Sequence, residues 1–194
     1  MELRTASDEF SGHCLALALL GSYLTDAYNG DIHFRKEVSA RLAHDVRQGA
    51  HARKVMESYQ TWFGEGPELS VLRMLGLFDR PADEKALEAL LKPPVIHGLT
   101  ESLTYLSRAD WRTILARLRR AKLLAGEDPH NPGHLDTHPL VREHFGEQLQ
   151  SQRSSTLNVL LFARAPGQPQ APANALQPTD RSPQGARSDF GRAA

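Results

Sequence analysis

"LLAGEDPHNPGHLDTH", residues 123–138, is the stretch whose reading decides the fold. Gly126, Pro129, Pro132 and Gly133 stand between two short apolar pieces. Turn formers bracketed in this way predict a small β-hairpin. Upstream, "SRADWRTILARLRRAKLL" (107–124) reads as a helix, with Ser107 as N-cap and Trp111, Ile114, Leu115 and Leu118 as its apolar face. Downstream, "PLVREHFGEQL" opens with Pro139 at the first helical position and carries Leu140, Val141, Phe145 and Leu149.

Two further helices precede these. "ELSVLRMLGLF" (68–78) keeps Leu69, Leu72, Leu75 and Phe78 in register. "DRPADEKALEALL" (79–91) offers Asp79 or Asp83 as a cap, followed by Leu87, Leu90 and Leu91. "KPPVIHGL" is a loop. Periodicity by itself supports helices with a small hairpin. The order of elements (three helices, hairpin, closing helix) predicts a winged-helix subdomain over residues 67–150.

"GEGP" (64–67) breaks the chain before this unit, because glycine and proline end one helix and suit the start of the next. Residues 11–64 are predicted to form a small helical subdomain. Leu15, Leu17, Leu19, Leu20 and Leu24 make its first helix mostly apolar and buried. "DIHFRKEVSARLAHDV" carries a stripe of Ile32, Val38, Leu42 and Val46, and "HARKVMESYQTWF" places Val55, Tyr59, Trp62 and Phe63 on one face. "STLNVLLFAR" (155–164) is apolar and either packs on the domain or is a helix without its partner. From Ala165 the composition changes to proline, glutamine and serine. Ordering a backbone costs about 1–2 kcal/mol per residue, and this segment has too little apolar area to offset it. Residues 165–194 are expected to be disordered, in a chain that is otherwise mainly α.

Charge and cysteine content bound the function classes. The 194 residues hold 23 basic and 23 acidic side chains, so nothing in the balance calls for nucleic acid or an anionic surface. A single cysteine, Cys14, forbids an intrachain disulfide and fits a reducing, cytoplasmic setting. It reads as a small buried apolar residue. No run is long enough to span a bilayer, so no membrane partner is expected. His130, His134 and His138 are four apart, but Pro132 and Gly133 keep the segment from being helical. The spacing therefore does not bring them to one face, and no metal is expected.

His138 has two readings. It is either a helix-flanking residue bonded to backbone or water, or a ligand-sensing group. The basic set Arg108, Arg112, Arg117, Arg119, Arg120 and Lys122 lies on the helix that a winged-helix DNA binder would insert. Arg108, Arg112 and Arg119 would fall on one side, opposite Trp111 and Leu118. A solvated helix face is the ordinary explanation, and the neutral overall charge argues against DNA.

"GHCLAL" (12–17), "VLRMLGLFDRPAD" (71–83), "LARLRRAKLL" (115–124) and "DTHPLVREHF" (136–145) come in an order that resembles the C-terminal half of the nucleotide module of STAND-type NTPases, the relatives of NB-ARC and NACHT switch proteins. The resemblance covers about residues 11–150. It implies a helical domain followed by a winged helix, behind an upstream P-loop ATPase domain. Gly12, Leu15 and Ala16 match the family's Gly-x-Pro-Leu-Ala motif on the adenine side, with Cys14 in place of the proline. His138 matches the histidine of the family's Met-His-Asp motif, which reaches the β-phosphate of ADP, with Thr137 and Pro139 as altered neighbours.

No G-x-x-x-x-G-K-[ST] occurs in the chain, so it lacks the backbone nest and lysine that grip phosphates. The expectation is a non-enzymatic regulatory fragment that binds no cofactor alone. ADP or ATP would belong to complete relatives. Either the chain is a piece of a longer switch protein or its ATPase part has been lost. The competing expectation is a DNA-binding winged-helix regulator using Arg108, Arg112 and Arg119. A third is an interaction module with no ligand.

Overall fold

The computed structural model describes residues 2–40 and 49–163, with side chains through Ser151. Leu42, Val46 and the tail from 165 lie outside the described residues, as do the side chains of 155–164. Among the described residues the fold is helical. The elements are α1 (Glu2–Glu9), α2 (Cys14–Tyr28), a 3-10 turn (Ile32–Phe34), α3 (Arg35–Ala40), α4 (Ala50–Phe63), α5 (Pro67–Leu75), α6 (Glu84–Leu91), α7 (Arg108–Arg120) and α8 (Pro139–Ala163).

Local chemistry sets most starts. His13 caps α2, its Nδ1 accepting the Ala16 N–H at 3.3 Å. Asp83, rather than Asp79, caps α6 by accepting the Ala86 N–H at 2.9 Å. Ser107 caps α7 through the Asp110 N–H at 3.1 Å. Pro67 and Pro139 each open a helix, where the missing N–H costs nothing.

Packing runs through two pairs, α2 on α4 and α5 on α8. Leu19, Leu20 and Leu24 of α2 are buried with Val55, Met56 and Tyr59 of α4. Tyr59 ties three segments together. Its ring lies 5.1 Å from that of Tyr23 and 5.5 Å from that of Phe63. Its hydroxyl lies 3.4 Å from the Leu19 carbonyl and 3.3 Å from the Ala121 carbonyl, just past α7. Burial pushes the phenol well above the ordinary tyrosine range, and Asp26 and Tyr23 add to the shift. A hydrogen-bonded neutral phenol is the form that fits here.

Charged residues cross the same boundaries. Arg53 of α4 is buried and donates to Glu143 at 2.8 Å and Glu147 at 2.7 Å on α8. Arg117 of α7 donates to Glu68 of α5 at 2.6 Å, and its guanidinium lies 4.5 Å from the Trp62 ring centroid. Arg73 is buried and forms a two-pronged pair with the exposed Glu65. That hydrogen bonding holds the Glu65 carboxyl below its ordinary value of 4.5. A lowered folded-state pKa contributes stability above pH 4.5, and the contribution is lost as pH falls through the lowered value. Glu65 is solvent-screened, so Glu65→Gln should cost at most about 1 kcal/mol at pH 7. Urea titrations of both proteins should converge as the pH falls below that lowered value. A constant gap across pH would contradict the assignment.

Several expectations change. The predicted hairpin over 123–138 forms no strand pair among the described residues. An isolated antiparallel bridge joins Ala82 to Leu135, with N–H···O bonds of 2.9 and 3.0 Å. Ala125 donates to the Asp136 carbonyl at 2.8 Å. Local bonds take the groups a longer ladder would need. Asp128 accepts from the His130 backbone and the Asn131 side chain, and the Thr137 hydroxyl donates to Leu123. The helix expected over 68–78 stops at Leu75, and Gly76, just past its end, meets the Gly146 backbone so closely that no side chain fits. The helix expected over 107–124 ends at Arg120, and Lys122 turns left-handed (φ 61°). Helix α1 is not among the expected elements; it buries Ala6 and delivers Phe10, just past its end, to the core. Cys14 is exposed at the first position of α2 rather than buried. α8 continues as helix to Ala163.

Candidate functional site

His138 sits directly before α8 and is exposed. Its Nδ1 accepts the Leu140 N–H at 3.2 Å, as the helix-flanking reading requires. That bond places the neutral ring's proton on Nε2, assigned from the hydrogen-bond network. Nε2–H is then a donor left for another group. The ring borders a hollow of about 710 Å³.

The chemistry of this hollow comes from the end of α7. Arg119, Arg120 and Lys122 line it with His138. They reach it because α7 stops at Arg120 and the left-handed Lys122 reverses the chain. Two of the cations are partly neutralised. Arg119 lies 3.6 Å from Glu127, and Arg120 lies 2.9 Å from Asp26. Lys122 forms no ion pair among the described residues. Asp136, the acid at the rim, is held by Arg142 and by the Thr137 N–H, both at 2.8 Å. Lys122 and the Nε2–H of His138 are the groups here that could meet an anion, while Leu124, Ala125 and Pro139 make part of the lining apolar. The basic run is visible in the sequence, but the sequence gives no place to Arg120 and Lys122. Finding its true place required knowing where α7 ends.

The other predicted residues stand elsewhere. Gly12 is exposed, with φ +65° and open space where a side chain would be. Leu15 is half-buried against the core and Ala16 is fully buried. None of the three lines the hollow at His138.

Arg108, Arg112 and Arg119 do share a face, but Trp111 is not opposite them. All four border a groove of about 750 Å³ between α6 and α7. Leu118 is buried on the far side. The facing wall carries Glu84 and Glu88, so the arginines look across at carboxylates. Among the described residues no three of His, Cys, Asp and Glu converge to hold a metal. No helix among them is long and apolar enough to cross a membrane. A scan of protein-family models and searches of curated proteins and solved structures find no match to the chain.

Proposed function

We propose that residues 11–150 are the helical and winged-helix parts of a STAND-type nucleotide switch and act as a non-catalytic regulatory lid. The chain carries no phosphate-gripping loop of its own. An upstream P-loop domain would supply the cradle, and the two together would hold ADP in the resting state.

The observation that carries this reading is the order of contacts around His138. Ala82, between α5 and α6, bonds Leu135; Ala125, after α7, bonds Asp136; His138 follows and opens α8. In a winged helix three short strands meet in that order; here the contacts are one isolated bridge of two hydrogen bonds and one further bond, with no strand among the described residues. The arrangement leaves the Nε2–H of His138 over a cation-rich hollow, where it could donate to a phosphate oxygen. A ligand that bonds His138 in one arrangement and not in another shifts the balance between them.

Two measurements test this. Calorimetric titration of this chain alone with ADP should show no binding at about 100 μM, a weak-affinity limit. The DNA preceding the codon for Met1 should encode a Walker A motif. Joined to that segment, the protein should bind ADP, and His138→Ala should weaken binding about tenfold, the loss of one charge-assisted hydrogen bond. Tight ADP binding by this chain alone, or an unchanged affinity in the joined His138→Ala protein, would refute the reading.

One observation favours DNA binding as a second reading: Arg108 and Arg112 are exposed on α7 and form no ion pair among the described residues. Glu84 and Glu88 across the groove oppose it, since a phosphate there would meet their charge. A gel shift with random duplex DNA at low salt, where phosphate contacts are strongest, should show no complex. A shifted band that Arg108→Ala/Arg112→Ala removes would reverse the preference.

A further inference from the structure

We propose that the groove between α6 and α7 is the contact surface for a second copy of this chain, paired about a two-fold axis. Its walls carry opposite charge at the same spacing. Glu84 and Glu88 stand four residues apart on α6, and Arg108 and Arg112 stand four apart on α7. Each pair lies one above the other along its helix, about 6 Å apart. Leu87 and Leu91 from one wall and Trp111 and Leu115 from the other form an apolar floor between them.

The walls do not neutralise each other within one chain. None of these four charged side chains takes part in an ion pair among the described residues, although Glu65, Glu68, Asp136 and Glu143 all do. A surface with acid on one side and base on the other is complementary to itself. A two-fold rotation lays the acidic wall of one copy on the basic wall of the other, and does so twice. An unrelated partner would have to carry the matching pattern by chance, whereas another copy carries it necessarily. The chain is also neutral overall, with 23 charges of each sign, so no long-range repulsion keeps two copies apart.

Charge swapping gives the test. Sedimentation velocity on the full 194-residue chain should show a dimer forming between about 1 and 100 μM at low salt. Added salt should weaken it. Glu84→Arg/Glu88→Arg makes both walls basic, and Arg108→Glu/Arg112→Glu makes both acidic. Each should weaken self-association at least about tenfold. An equimolar mixture of the two variants should dimerise again, since every facing pair is then opposite in sign. That recovery also shows that both variants are folded. A wild-type chain that stays monomeric throughout, variants that associate like wild type, or a mixture that remains monomeric would each overturn the proposal.

Discussion

Tyr59→Ala is expected to destabilise the fold by about 4 kcal/mol, the range for emptying a large buried aromatic site. Tyr59 is fully buried, and its ring contacts Tyr23 and Phe63 while its hydroxyl serves carbonyls of α2 and the end of α7. No single neighbour can close the space, because those neighbours belong to different helices. Tyr59→Phe keeps the ring and loses only the hydroxyl, so it should cost about 1 kcal/mol. Urea unfolding of the two variants separates the contributions. Equal losses would mean that the hydroxyl, not the ring, holds the helices together.

Gly76→Ala is expected to cost about 3 kcal/mol, at the upper end for forcing atoms into a closed space. A methyl group at Gly76 would stand 2.6 Å from the Gly146 Cα and nitrogen. One at Gly146 would stand 2.9 Å from the Gly76 carbonyl oxygen. Both obstacles are backbone, which cannot rotate aside. Gly76 has φ −64°, a conformation open to any residue, so the effect is contact and not backbone strain. Gly126→Ala, with open space around it, is the control and should change stability by less than about 0.5 kcal/mol. A Gly76→Ala protein as stable as wild type would show that α8 can move off α5 at little cost.

These two cases mark how far the sequence could be read. Caps and periodic apolar residues are local signals, and they mark α2, α4, α6 and α7. Ser107, Pro67 and Pro139 begin helices as their chemistry requires. Gly76 and Gly146 give no sign of each other in the sequence, since two glycines so far apart meet only through tertiary packing. The stop of α7 at Arg120 was equally hidden. "RLRRAKLL" continues a helical pattern, and its end is set by the burial of Ala121, Leu123 and Leu124. That single boundary moves Lys122 from a helix face to the rim of the hollow at His138. In place of the expected hairpin, turn residues are present, but side-chain bonds from Asp128 and Thr137 take the place of a ladder.

α8 runs unbroken for 25 residues. A helix of that length spans roughly 37 Å. It starts at the hollow and crosses α5 at Gly146, so it has the form of a lever with a fulcrum near its head. A tilt of about 10° at that crossing would sweep Ala163 through roughly 4 Å, since the intervening arm is about 25 Å long. A small displacement beside His138 would therefore arrive magnified at the far tip of the rod.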